Sequence, residues 1–403
     1  MEQPEKGYIM DSIFSDRISD VPRSFIREIL KVALDHTVIS FAGGLPNREL
    51  FPVEELKRAT NKVFEIFGSD TLQYSNSEGY LGLREMIAKR YHDKKKLDIP
   101  VENILITNGS QQGLDLLGKI LVNEGDDIVI EEPGYLGAIQ ALSIFKPRFN
   151  PIALTEDGMN IEILKSVMSS SKPKLIYTVP NFQNPSGISY SKHTRYEMAD
   201  ILKDTSTLLI EDDPYGDLQY SGSIKPSFKT ILPNNTILLG SFSKIIVPGF
   251  RLGWIVAPGA IMEKLIIAKQ ASDLHTSHFT QCILYQYMKD NDIEAHIRKI
   301  REVYGNQLKA MLNGIAQYFP TNVSHTNPEG GMFLWVSLPK YASSRELLDL
   351  AIKDKVIFVP GDSFYIDRQK TNTLRLNFSC VDEETIHLGI KSLGKAIEQL
   401  LKH

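Results

Sequence analysis

Fourteen residues in the middle of the chain, SFSKIIVPGFRLGW, set Ser241, Ser243, Lys244 and Arg251 around a Pro-Gly turn at Pro248 and Gly249. An amine such as that of Lys244 adds to an aldehyde to form an imine, and two hydroxyls with a guanidinium fork suit a phosphate dianion. The run just before, TILLGS, reads as a short buried strand of β-branched and aliphatic residues, so Lys244 leaves the end of a strand. Taken alone, a Ser-x-Ser-Lys is far more often a solvated surface lysine than a catalytic one. Its meaning depends on what accompanies it.

An aldehyde that carries a phosphate describes pyridoxal 5′-phosphate, and the chain holds the other groups such a ligand would need. Asp212, in EDDPYGDL, is a carboxylate that could face a pyridine nitrogen and keep it protonated, which lets the ring accept electrons. The same residue also suits an acidic N-cap ahead of Pro214. Tyr215 follows within a turn. Asn184, in NFQNPSG, can donate its amide to a phenolic oxygen, and Tyr135, in EEPGYLG, can lay its ring on a heteroaromatic plane. In TNGSQQG, Gly109, Ser110 and Gln111 open a helix whose free N–H groups and dipole favour an anion. Arg375, in NTLRLNFSC, stands among alternating apolar residues, where it either pairs with a neighbouring acid or captures a substrate carboxylate in two-pronged fashion. Gly43 and Gly44, in SFAGGLPN, permit close backbone approach or serve a plain turn. Tyr74, in LQYSNSEG, is a tyrosine in a polar loop, which by itself is only a surface aromatic.

Most of these groups lie at the ends of a repeating pattern. From Val101 to about residue 260, short apolar runs alternate with helical segments: ILIT at 104–107, DIVI at 127–130, KLIYTV at 174–179, TLLIED at 207–212, then TILLGS and GWIVAP. Continuous apolar strands separated by helices predict an α/β fold, a three-layer large domain whose mainly parallel sheet is covered on both faces. In such sheets ligands sit outside the carboxyl ends of the strands. From about residue 290 the helical run IEAHIRKIREVYGNQLKAMLNGIAQY and strands in GGMFLWVSLP and NTLRLNFSC predict a smaller α/β domain. Near the start, RSFIREILKVAL spaces Phe25, Ile26, Ile29, Leu30 and Ala33 at a helical repeat, a helix that needs a surface to cover. The expected division is an arm over 1–45, a large domain over 46–290 and a small domain over 291–403.

Composition narrows the functional class. A chain of 403 residues exceeds the usual size of one core, and 42% hydrophobic with 23% charged residues is ordinary for a soluble globular protein. The net charge of −4 provides no basic field for nucleic acid. Two distant cysteines, Cys282 and Cys380, lack metal-ligand spacing and do not make a disulfide scaffold, so no metal is expected. The opening residues lack the apolar core of a signal peptide and no apolar run would span a bilayer, which predicts a cytoplasmic protein.

Together the motifs resemble the fold type I pyridoxal-phosphate aminotransferases of class I/II, and more narrowly the α-aminoadipate and kynurenine subgroup. The likeness runs in order from RSFIREIL through FAGGLPNRELFP, LQYSNSEGYLGLRE, TNGSQQGLDLLGK, NFQNPSG, EDDPYGDL, SFSKIIVPGFRLGW and EGGMFLWVSLP to VPGDSFY and TLRLNFS. It implies Lys244 as the lysine that forms the imine and moves the proton between substrate Cα and cofactor. It implies Asp212 at the ring nitrogen, Asn184 and Tyr215 at the ring oxygen, and Tyr135 stacked on the ring. Ser110, Gln111, Ser241, Ser243 and Arg251 would bind phosphate, and Arg375 the substrate α-carboxylate. Tyr74 matches the residue that reaches the neighbouring subunit's phosphate, implying a homodimer with shared sites. Gly44 and the N-terminal helix would form a lid over the substrate. Arg27 matches the arginine that in some relatives meets an acidic side chain, although from the residues alone it is equally a solvated helix residue. Ser186 stands where many relatives have threonine.

The expected activity is therefore transfer of an amino group from an α-amino acid to a 2-oxo acid, 2-oxoglutarate being the acceptor that the resemblance implies. The donor candidates are 2-aminoadipate and aromatic or branched-chain amino acids. Two alternatives stay open at this point: a lyase or decarboxylase, since the same ring stabilises any Cα carbanion, and a cofactor-binding sensor without catalysis. The sequence shows no helix-turn-helix segment ahead of the arm, which weighs against the sensor.

Overall fold

The computed structural model describes residues 14–19, 37–369 and 372–402; RSFIREILKVAL, and Arg27 with it, lies outside them. A short strand β1 (Ile39–Ser40) enters first. The main sheet is then built from β2 (Ile104–Thr107), β3 (Asp127–Glu132), β4 (Arg148–Thr155), β5 (Gly158–Met159), β6 (Leu175–Thr178), β7 (Leu208–Asp212), β8 (Thr236–Ser241) and β9 (Gly253–Val256). Their spatial order is β2-β9-β8-β7-β6-β3-β4-β5. Neighbours from β4 through β8 pair in parallel, whereas β9 runs antiparallel to both β2 and β8, and β5 antiparallel to β4.

The three layers follow from the pleat. Successive side chains point to opposite faces, so Val129, Ile176 and Leu209 join one core, while Ile128, Ile130, Leu175, Tyr177 and Ile210 join the other. Both faces are dry, which is why these strands read as unbroken apolar runs. The expected strands all form. In the main sheet, the two that the pattern did not announce are β4 and β5. In β4 only Ile152 is buried, and Pro151 breaks the β-propensity where its missing N–H is tolerated at the sparsely paired margin of the sheet.

A second, four-stranded sheet has the order β10 (Ser324–His325), β11 (Phe333–Ser337), β14 (Thr373–Asn377), β13 (Val359–Pro360), and is antiparallel throughout. The helices Ile293–Tyr318 and Ser344–Lys353 both pack against the helix Glu383–Leu401, and Ser344–Lys353 also meets β13 of this sheet. The first of these begins where expected, at Asp292, whose carboxylate accepts from the N–H groups of Glu294 and Ala295 and so satisfies two of the helix's orphan donors. Strand β12 (Val356–Ile357) pairs in parallel with β1, Ile39 opposite Val356, which fastens the chain ahead of Gly43 beside the small sheet. Among the described residues no helix is long and apolar enough to cross a membrane.

Candidate active site

Because β3, β6, β7 and β8 are parallel, the residues that follow them emerge along one edge. Asp212 ends β7, Lys244 follows β8, Asn184 lies in the loop after β6 and Tyr135 in the turn after β3. Arg251 reaches the same edge because β9 is antiparallel and starts there. A cavity of about 400 Å³ opens at this edge, lined by Ser110, Gln111, Tyr135, Asn184, Asp212, Tyr215, Ser241, Ser243, Lys244, Arg251, Arg375 and Gly44. Twelve of the fourteen residues singled out from the sequence therefore share one cavity. Tyr74 does not line it and is 79% exposed, its ring edge-on to His275 at 5.9 Å. Arg27 lies outside the described residues.

Lys244 is partly buried and donates from Nζ to the carbonyl of Gly44 at 2.9 Å. Burial brings its pKa down to about 8, with the positive charges of Arg375 and Arg251 adding to the effect and Cys380 opposing it. An amine at about 8 carries roughly a tenth of its molecules unprotonated at neutral pH, some 300-fold more than an ordinary lysine. Asp212 is not an N-cap. It is buried, and its Oδ2 accepts from the Tyr177 hydroxyl at 2.8 Å. Burial raises its pKa to about 7, with the Tyr177 hydrogen bond pulling the other way. Its second oxygen, Oδ1, has no hydrogen-bond partner among the described residues. A cation opposite that oxygen would restore the ionised carboxylate.

Arg375 sits in β14, 4% exposed, and the alternative of a local ion pair is not what the structure shows. Its Nη1 donates to Asn184 Oδ1 at 2.9 Å and its Nη2 to the Ala42 carbonyl at 2.7 Å. The guanidinium carbon lies 4.4 Å from the Phe333 ring centre and 5.1 Å from that of Phe364. Its Nε has no partner among the described residues, and burial lowers its pKa to about 10. A buried charge with an unused donor edge calls for an anion. The Asn184 amide approaches the Tyr215 hydroxyl at 3.4 Å, and burial raises the pKa of that phenol well above its ordinary value, so Tyr215 stays a donor.

The anion-binding side is built by close backbone approach. Gly109, at φ 75°, precedes the helix Ser110–Leu121, and a Cβ there would strike the Arg251 guanidinium. Arg251, itself left-handed at φ 53°, points Nη1 toward Ser243 Oγ at 3.4 Å. Ser241 Oγ already accepts from the Ser243 N–H, and the Gln111 side chain is exposed and committed to the Gly137 carbonyl at 2.8 Å. Ser186 donates to Gln183 Oε1 from both its N–H and its hydroxyl, at 2.8 and 2.6 Å, a role that threonine could fill equally.

Several supporting residues were hidden within core patterns. Tyr177 reads as one more member of an apolar strand, its phenol hydroxyl beside that of Thr178 being the only signal. Glu131, fully buried, accepts from Val179 N–H, Tyr190 hydroxyl and Gln183 Nε2, and so ties the loop that carries Asn184 to the strand that leads to Tyr135. Phe333 and Phe364 give no chemical signal at all.

The residues present fit pyridoxal phosphate: a helix N-terminus with an arginine and two serines for a dianion, a lone carboxylate oxygen for a ring N–H, and a lysine of depressed pKa between them. Comparison with known proteins agrees. The family "Aminotransferase class I and II" matches residues 37–393. Aromatic-amino-acid aminotransferase 1 of Thermococcus litoralis is 39% identical over 100% of this chain and 97% of its own length. The crystal structure of Pyrococcus horikoshii kynurenine aminotransferase, in complex with PMP, KYN and KYA, superposes with a TM-score of 0.93 at 39% identity, covering 98% of this chain and 99% of that one. That of the α-aminoadipate aminotransferase of Thermus thermophilus, complexed with N-(5′-phosphopyridoxyl)-L-leucine, superposes at 0.91 with 36% identity and the same coverages. The family match, the shared fold and a cavity equipped for this cofactor lead to one conclusion: the chain belongs to the class I and II aminotransferases and is a pyridoxal-phosphate-dependent transaminase.

Proposed function

We propose that this transaminase takes its amino group from 2-aminoadipate and from aromatic and branched-chain amino acids, and passes it to 2-oxoglutarate. The observation that carries the assignment of roles is the pair of orphaned buried atoms in one cavity, Asp212 Oδ1 and Arg375 Nε, one suited to a ring N–H and the other to a carboxylate. When bound, pyridoxal phosphate supplies a sink for the negative charge that develops at the substrate Cα. Lys244 would hold the cofactor through its amine and would serve as the base for the Cα proton, a role that its burial beside Arg375 and Arg251 favours by disfavouring the protonated form. Asp212 faces the ring nitrogen, Tyr135 packs on the ring, and Asn184 and Tyr215 donate toward its phenolic oxygen. Ser110, Gln111, Ser241, Ser243 and Arg251 hold the phosphate, Gln111 by its place in the first turn of the helix. Arg375 fixes the α-carboxylate common to every donor, and Gly44, whose carbonyl receives Lys244, would form part of the lid over the substrate.

Breadth in the donor is supported by what the relatives' names record, aromatic, kynurenine and α-aminoadipate among them, and by the leucine adduct in one of them. Arg27 is the proposed partner of acidic side chains. The arm 1–45, large domain 46–290 and small domain 291–403 are the proposed units; the confinement of the eight-stranded sheet to the second and of the four-stranded sheet to the third supports that division, as does pairing of β1 with β12 for an arm that packs with the small domain. Exposed Leu72 and Tyr74 support a homodimer in which Tyr74 completes the neighbour's phosphate site. Free thiols at Cys282 and Cys380 accord with a cytoplasmic setting. The test is a donor screen with 2-oxoglutarate as acceptor, reading glutamate formed: product from 2-aminoadipate, phenylalanine and leucine is expected, and no glutamate from any of the three would overturn the assignment.

A further inference from the structure

We infer that Tyr177 is a positioning residue for the cofactor, holding Asp212 as an ionised acceptor with one oxygen free to meet the ring nitrogen. The inference rests on the proposed role of Asp212 and extends it to a residue with no other evident task. Tyr177 is fully buried in β6, beside β7, on the face of the sheet that belongs to the larger core. Its hydroxyl makes the one hydrogen bond that the Asp212 carboxylate receives among the described residues, at 2.8 Å to Oδ2, and Oδ1 receives none.

The geometry decides the protonation of the pair. A phenol in this setting is far harder to ionise than in water, because burial and the adjacent Asp212 both penalise a second negative charge, so it remains a donor. A donor on Oδ2 favours the carboxylate over the carboxylic acid and blocks rotation of the group, leaving Oδ1 for the ring. Burial works in the opposite direction, pushing Asp212 toward neutrality. Without Tyr177 the acid would be left to burial and to the negative charges of Asp213 and Glu131, all of which favour its neutral form. The other titratable groups facing this pair are Tyr135, Tyr215, Glu131 and Asp213, and none of them donates to Asp212 among the described residues. A phenylalanine in this place would satisfy the packing, since Leu175 and Ile210 around it are apolar; the hydroxyl therefore serves the carboxylate.

The experiment is a double-mutant cycle of Tyr177→Phe and Asp212→Asn, read as affinity of the apoenzyme for pyridoxal phosphate and as the pH at which the visible band of the bound cofactor shifts. Loss of one hydrogen bond to a charged group predicts affinity weakened by about tenfold to a hundredfold in Y177F, with a displaced pH midpoint. In the D212N background the same change should cost less than about twofold, because the charge it supported is gone. Unchanged affinity and midpoint in Y177F, or an equal loss in both backgrounds, would overturn the inference while leaving Asp212 at the ring. Unaltered binding in D212N itself would instead remove the underlying role of Asp212, and the inference with it. Should Y177F fail to fold, fluorotyrosine at position 177 keeps the shape and acidifies the phenol: a displaced midpoint supports the inference and an unmoved one refutes it.

Discussion

Replacing Arg375 with lysine isolates the contribution of the guanidinium fork, because the charge is retained and only its geometry is lost. In the structure Nη1 and Nη2 are engaged with Asn184 Oδ1 and the Ala42 carbonyl, and Nε is the edge left over. Two-pronged capture of a carboxylate uses Nε together with one of the terminal nitrogens, so the two oxygens are fixed in the plane of the guanidinium. A lysine ammonium has three donors, two of which the same acceptors claim, so one charge-assisted hydrogen bond to the substrate is lost, about 1.5–3 kcal/mol. That is roughly 10- to 150-fold in kcat/KM. The assay is single-turnover conversion of the bound cofactor by glutamate, phenylalanine and leucine, followed by absorbance. All three donors should lose rate by the same factor, since all three share the α-carboxylate, and affinity for pyridoxal phosphate should stay within about twofold. A loss confined to one donor class, or a parallel loss of cofactor affinity, would refute the assignment of Arg375.

Two further outcomes follow from Lys244 and Tyr74. In the apoenzyme, burial holds Lys244 at about 8 against an ordinary 10.5, so between those pH values the unfolded chain binds the extra proton and stability contributed by this group rises with pH. The Lys244→Met apoenzyme should therefore melt above wild type at pH 7 by a margin that narrows toward pH 10; a margin independent of pH would contradict the buried, depressed amine. Tyr74→Ala and Lys244→Ala, each impaired alone, should regain activity when unfolded and refolded together, because a mixed dimer contains one site with both native residues. Mixtures no more active than their parents would rule out the shared site.

Much of this protein is written in local pattern. The strands at 104–107, 127–132, 175–178, 208–212, 236–241 and 253–256 are legible because a sheet covered on both faces needs uninterrupted apolar runs, and the polar residues at their ends are legible because parallel strands deliver them to one edge. Strand β4 was not legible, since a partly exposed strand with a central proline carries neither the alternation nor the propensity that marks the others.

Sequence alone determined the chemical inventory: which side chains form an imine, hold a dianion or face a ring nitrogen, and in what order they occur. Only the tertiary structure decided their states. Among the described residues Arg375 is free of an acidic partner and lies close to the rings of two phenylalanines, Asp212 has one satisfied oxygen and one open, and Lys244 is an amine near 8 because the fold removes water and places two arginines nearby. Burial, partner and pKa are properties of contacts between residues such as Asn184 and Arg375, far apart along the chain, and no local pattern can encode them.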